Sequence, residues 1–366
     1  MAVILFVFVV GSTQVIGKIK NLLGYGELEL KKIATISLRD KNKALVRGFE
    51  QNFMVYEPAT QTLQAYGLEG QEKWVFEEKI ENPIFSNTAT HLYIAERETG
   101  RIFCVDSLGS IDWQIDLERT IRMLQSSERG YVAVYSEDEE EKGIVHIFDM
   151  EKKQRGKISL NQGYLMDMTL SQEADLLALS VMSIANDKIE SNVILYNMEG
   201  KLLGGNKYDG DIISRVYAGR EQQIVNIGDK KVIGFSKEKG LLWNKEIEDS
   251  IGKTAWSEEG FIVLGLVNNK KTIIDTKNRN RVSIIDQEGK ELNKLPVKGE
   301  VLGIDIKDDR IVAFTDRTLY LLSKDDKDLI EKKVNNDIQS VHMVDKDRLA
   351  LVFNDKIEII RVKFKE

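Results

Sequence analysis

A hydrophobic strand, a glycine-containing turn and a tryptophan-bearing strand recur along this chain at roughly 40-residue spacing, and no other feature constrains the fold as tightly. Residues 62–70 lead to Trp74, and residues 101–109 lead to Trp113. A looser copy runs from Val232 and Phe235 through Gly240 to Trp243. Degenerate copies end at Asp149, Asn197, Asp286 and Ser323. A repeat of this length that reads as four short strands is the signature of a β-propeller blade.

Counting strands along the repeat gives seven complete four-strand units, beginning at residues 43–47 and ending at residues 330–334. Three further strands follow, at residues 338–344, 349–353 and 357–364. A propeller must close to remove its free edges. Residues 28–36, ahead of the first blade, can supply the missing outer strand. The expectation is an all-β, eight-bladed propeller whose last blade is assembled from both termini, with seven blades as the alternative. One domain therefore occupies residues 26–366, after a leader of residues 1–25. The chain's 366 residues could otherwise hold two ordinary domains.

The leader differs from the rest. Residues 2–10 carry no charge, and the apolar character continues weakly through Val15 and Ile16. A full membrane span needs about 20 apolar residues, so this stretch is short. It has no basic segment before it and no clear small-residue cleavage site. Three readings stand: a hydrophobic helix acting as an anchor whose first residues lie upstream of Met1, an atypical signal peptide, or a buried strand of the domain. On the anchor reading the protein is single-pass and membrane-attached through this segment. Lys18, Lys20, Lys31 and Lys32 follow the segment, which on the positive-inside rule favours a cytosolic propeller. The expectation is nevertheless an extracytoplasmic one, because anchored propellers usually work there.

Composition narrows the function. A net charge of −7 argues against nucleic-acid binding, which needs a basic face. Cys104 is the only cysteine, which removes any intramolecular disulfide and any multi-thiolate zinc site. It sits in an apolar strand and reads as a small buried hydrophobe. His91, His146 and His342 fall on three different strands and would have to converge at the axis to hold a metal. There is no G-x-S-x-G nucleophile elbow and no glycine-rich phosphate loop. Gly204, Gly205 and Asn206 read as a plain turn. Two charged loops stand out, residues 137–142 (acidic) and 268–281 (basic), either a partner surface or a solvated hairpin tip.

The D/N-x-x-G-x-x-x-W element, complete from Asp106 to Trp113, resembles that of quinoprotein-like propellers of the PQQ-type repeat. There the tryptophan docks between neighbouring blades, and Trp74, Trp113 and Trp243 fit that structural role. A large flat side chain fills the wedge that opens at the rim. Gly67 and Ser236 replace the Asp/Asn in two copies. The chain also resembles an uncharacterised bacterial family of membrane-anchored propeller proteins. The resemblance implies architecture over residues 28–366. Quinone-dependent enzymes of this kind bind calcium through carboxylates and amides, and no cluster with that spacing is visible. The expected function is therefore a non-enzymatic interaction module with a protein or envelope partner, no cofactor and no catalytic residues. The alternatives are a quinoprotein-type oxidoreductase and a subunit like the propeller lipoprotein of outer-membrane barrel assembly.

Overall fold

The second and third strands of each repeat are nearly continuous apolar runs, as befits strands covered on both faces. Leu92–Glu96, Ile144–Phe148, Gln223–Ile227 and Thr318–Ser323 are buried at every position. Outer strands such as Ile111–Asp116 and Gly240–Glu246 alternate, with one face on the ring and one in water. This is a computed structural model that describes residues 28–39, 44–50, 52–138, 143–185, 187–268, 280–325 and 329–364.

The strands form eight four-stranded antiparallel sheets, so the ring has eight blades. Blades 1 to 7 occupy residues 45–75, 83–116, 120–159, 164–209, 215–246, 250–297 and 303–333. Blade 8 combines Ser340–Met343, Arg348–Val352 and Lys356–Phe364 with the N-terminal strand Leu28–Ser37 as its outer edge. The register runs from Leu28 opposite Phe364 to Ser37 opposite Lys356. Ring closure is thus a sheet pairing between the two ends of the domain. Among the described residues every element is a strand, and no helix is long and apolar enough to cross a membrane. The leader and its expected helix lie outside the described residues.

The core is a set of eight apolar clusters, one in each seam between neighbouring blades. Phe49, Met54 and Leu63 of blade 1 pack against Leu92, Ile94 and Phe103 of blade 2. At the closing seam Ile357 and Ile359 of blade 8 pack against Val46, Phe53 and Val55 of blade 1. Because every blade contributes to two seams, removing one blade opens two clusters.

Blade 5's inner strand is Arg215–Ala218; just ahead of it Ile213 N donates to the Ser191 hydroxyl and Ser214 N to the Ile227 carbonyl, outside the ladder. One sequence reading shifts. Gly204, Gly205 and Asn206 belong to the outer strand Leu202–Asp209, not to a turn. Gly205 lies so close to the third strand that a Cβ would sit 2.6 Å from the Val193 carbonyl oxygen.

Candidate functional site

Each blade sends its first–second and third–fourth turns to one face of the ring, here the upper face. The third–fourth turns explain the Asp/Asn of the repeat. The Asp106 carboxylate accepts from Leu108 N and Ser110 N at 2.9 and 2.8 Å. Asp149, Asn197 and Asp286 cap their own turns in the same way. The side chain satisfies amides that the tight turn leaves without a backbone partner.

A glycine three residues on gives the tryptophan of the preceding blade its seat. Trp74 of blade 1 covers Gly109 of blade 2, and Trp74 Nε1 donates to the Ser107 carbonyl at 3.0 Å. Trp243 of blade 5 covers Gly289 of blade 6 and donates to the Gln287 carbonyl at 2.7 Å. Each indole is half-buried rather than fully buried. A β-bulge immediately precedes the equivalent position in every such outer strand, which turns the side chain onto its neighbour. Other seams use smaller residues. Gly156 of blade 3 lies directly against the backbone of residues 198–200, and Ala34 of the closing strand lies against Gly70.

Trp113 is different. The turn facing it, in blade 3, carries Lys152 with φ 57° where glycine stands elsewhere. A side chain there prevents the close overlay seen at Gly109. A cavity of about 340 Å³ opens instead, bounded by Trp113, Met150, Glu151 and Lys152. On its other wall stand His91, Tyr93, Cys104 and Asp112. His91 Nε2 lies 3.1 Å from Asp112 Oδ2, and the donor atoms of His91, Cys104 and Asp112 all fall within 4.8 Å of one another. Burial, and then the Asp112 charge, push the Cys104 thiol up to about 12. Burial also raises the Tyr93 phenol, and Cys104 beside it adds to the effect.

The larger depression on the upper face is a crater of about 970 Å³ over blades 4 to 7. Four successive first–second turns contribute residues 171–175, 218–222, 256–259 and 306–308, and the third–fourth turn of blade 5 adds Glu238. Its charged lining is mostly acidic: Glu173, Asp175, Glu221, Glu238, Glu258, Glu259 and Asp308 against Arg220 and Lys307. Several of these are already paired, Glu173 with Arg129 and Glu259 with Lys324. Trp256 forms part of the wall and stacks on Tyr217, with ring centres 5.9 Å apart and planes at 13°.

The central axis is held by inner-strand polar contacts between blades. Asp167 Oδ2 accepts from Val216 N at 3.0 Å, and Asp305 Oδ2 accepts from Met343 N at 2.7 Å. Burial raises both carboxyls, Asp305 to about 6. Burial, and then Arg47, pull His342 down to about 3. His146 bonds Ser136 and stacks on Phe148 in blade 3, so the three histidines stay in separate blades. Of the charged loops, residues 139–142 and 269–279 lie outside the described residues. Glu137 pairs with Arg122, Asp138 with Arg119, and Arg281 with Asp249.

Sequence reasoning singled out neither Trp256 nor the grouping of His91 with Asp112. The profile of a family of unknown function, DUF5711, matches residues 25–362, all but the last two residues of the ring. This chain belongs to the DUF5711 family. No curated protein matches the sequence. Among solved structures the DUF5711 ring is similar to BamB from Moraxella catarrhalis, at 10% identity over 91% of this chain and 100% of that one, with a TM-score of 0.59. It is similar to the C-terminal WD40 domain of Sif2, at 9% identity over 91% of this chain and 98% of that one, with a TM-score of 0.65. A third likeness is Sqt1 from Chaetomium thermophilum, at 11% identity over 93% and 100%, with a TM-score of 0.61. At these identities the likeness is one of fold.

Proposed function

We propose that this protein is a non-enzymatic interaction module, tethered to a membrane through its leader, whose upper face receives a basic segment of a partner protein. The acidic crater built by four successive blades carries the reading. The carboxylates of Glu221, Glu238 and Glu258 have no ion-pair partner among the described residues, so they are open to a cation. The half-buried Trp256 adds an aromatic face on which a lysine or arginine can lie. First–second turns on a rigid ring suit such a role, because the tryptophan seams rest on third–fourth turns instead. The oxidoreductase alternative is less well supported. The axial carboxylates Asp167 and Asp305 already accept bonds from neighbouring backbone amides.

The test uses two labelled peptides of equal length, one rich in lysine and arginine, one in aspartate and glutamate. Anisotropy should show that the basic peptide binds and that salt weakens it. Reversing Glu221, Glu238 and Glu258 together to lysine should abolish that binding. Equal binding of both peptides, or binding indifferent to the reversal, would overturn the proposal. For the tether, the uncharged run of residues 2–10 is the support. Cell fractionation should find the full chain with membranes, and recovery in the soluble fraction refutes it.

A further inference from the structure

The register of blade 2 brings three metal-binding side chains to one end of the sheet. Tyr93 pairs with Cys104, and Cys104 pairs with Trp113, so these three side chains share a face. His91 lies two residues before Tyr93 and therefore joins the same face. Asp112 would ordinarily point away, as the neighbour of Trp113. The bulge at this point places both Asp112 and Trp113 opposite one stretch of the third strand and turns Asp112 towards Cys104.

We propose that His91 Nε2, Cys104 Sγ and Asp112 Oδ2 form a site for a thiophilic divalent cation of the zinc class, with a fourth position open to the cavity at the blade 2–blade 3 seam. The separations fit. The donors lie within 4.8 Å of one another, and tetrahedral zinc with ligands at about 2.0–2.3 Å holds its donors a little over 3 Å apart. The donor set fits as well. One thiolate, one imidazole and one carboxylate suit zinc and disfavour calcium or magnesium, which take oxygen ligands. An outer partner is also in place. Thr90 Oγ1 lies 2.9 Å from His91 Nδ1 and orients the ring so that Nε2 faces Cys104 and Asp112. Rigidity follows from position, because the three ligands stand at adjacent strands of one sheet, and Cys104 is 2% exposed.

The cation takes Cys104 as thiolate, and the thiol proton leaves to solvent on binding. Three protein ligands leave one coordination position for water or for a group presented from outside. The cavity supplies the room, and it exists because Lys152 keeps the blade 3 turn off Trp113. The Lys152 side chain is exposed, so its ammonium can stay in solvent while the cation is bound. This site is independent of the crater, which lies over other blades.

The experiment titrates the purified, chelator-treated full chain with cobalt(II). The expected result is one equivalent bound, a thiolate-to-cobalt charge-transfer band in the near ultraviolet, visible bands of tetrahedral cobalt, and loss of both on adding zinc. Cys104→Ser should abolish the charge-transfer band. Asp112→Asn, at a partly exposed position that leaves the core intact, should weaken zinc binding about tenfold or more. Zinc should raise the thermal midpoint of the wild type and leave that of His91→Gln unmoved. Absence of the charge-transfer band in the folded wild type overturns the proposal. So does an equal zinc effect in wild type and Asp112→Asn, or an equal stabilisation by calcium.

Discussion

Gly109 offers a direct measure of how tightly neighbouring blades are docked. It has φ 87°, and a Cβ there would lie 2.7 Å from Trp74 Cδ2. Gly240 has φ 70° with nothing within 4 Å of its Cβ position. An alanine at either site meets the same left-handed backbone penalty, about 1–2 kcal/mol. Only at Gly109 must the indole also move, which adds about 1–3 kcal/mol of overpacking. Moving the indole weakens its bond to Ser107, adding about 1 kcal/mol. The expected losses are about 1–2 kcal/mol for Gly240→Ala and about 3–6 kcal/mol for Gly109→Ala. Trp74→Ala removes a half-buried indole and should cost less than the 3–5 kcal/mol of a fully buried one, about 2–3 kcal/mol. The decisive quantity is the double-mutant cycle. With Trp74 gone, the added methyl has room and the bond to Ser107 is lost only once, so Gly109→Ala with Trp74→Ala should cost about 2–4 kcal/mol less than the sum of the singles. Urea unfolding followed by tryptophan fluorescence and by circular dichroism supplies the four stabilities and checks that the two probes coincide. Additivity within about 0.5 kcal/mol, or equal costs at Gly109 and Gly240, would refute the docking of Trp74 on the blade 2 turn.

Deleting residues 1–25 should leave a folded ring, whereas deleting to residue 36 removes the partner of Lys356–Phe364 and should give aggregation through the bare edge, read by light scattering. Glu96 is nearly buried and holds Arg101 at 2.8 and 3.0 Å while accepting from Thr99 and Glu81 N. Burial opposes its ionisation, but these bonds outweigh burial and hold its carboxyl below the usual range. Glu96→Gln leaves the guanidinium with Glu78 and the Lys79 carbonyl as its remaining charged and backbone partners and should cost about 1.5–3 kcal/mol, and a loss under about 0.5 kcal/mol in urea unfolding rejects this. The Asp305 carboxyl is raised by burial to about 6, with Arg47 and Lys307 opposing, so its ionisation works against the fold. The stability it contributes is present below the unfolded value of about 3.9 and is lost as pH rises through about 6. Stability of Asp305→Asn minus that of wild type should therefore fall as pH drops from 7.5 to 4.5, and a rise refutes the assignment.

The blade count and the closing strand are legible in the sequence because they rest on local signals. Apolar runs such as 92–95 and 144–148 repeat at a steady spacing, and only one pairing relieves the last open edge. The candidate sites are not local. His91 stands just ahead of the second strand of blade 2, Cys104 and Asp112 on its third and fourth, at spacings that match no ligand motif, and their meeting depends on one bulge. No propensity marks Asp112 as the bulged residue rather than its neighbours. The cavity beside them depends on a further residue, Lys152, in the next blade. Trp256 escapes notice because it lies on an inner strand, outside the repeated turn. The crater is assembled chiefly from four turns about 40–50 residues apart, each an ordinary polar hairpin when read alone.

Pairing of the first strand with the last also fixes an order of events during biosynthesis. More than 300 residues separate Ser37 from Lys356, its partner at one end of the closing sheet. At about 5–20 residues per second, a ribosome needs tens of seconds to make that stretch. Blades 1 to 7 can form as they emerge, because each is a contiguous hairpin series. Leu28–Ser37 cannot pair until the final strand has left the ribosome. For that interval it is an unpartnered strand with alternating apolar residues, and blade 1 has one uncovered flank. A nascent chain stopped before Lys356 would carry both exposed surfaces permanently, so the closing strand Lys356–Phe364 acts as a completeness check on the ring.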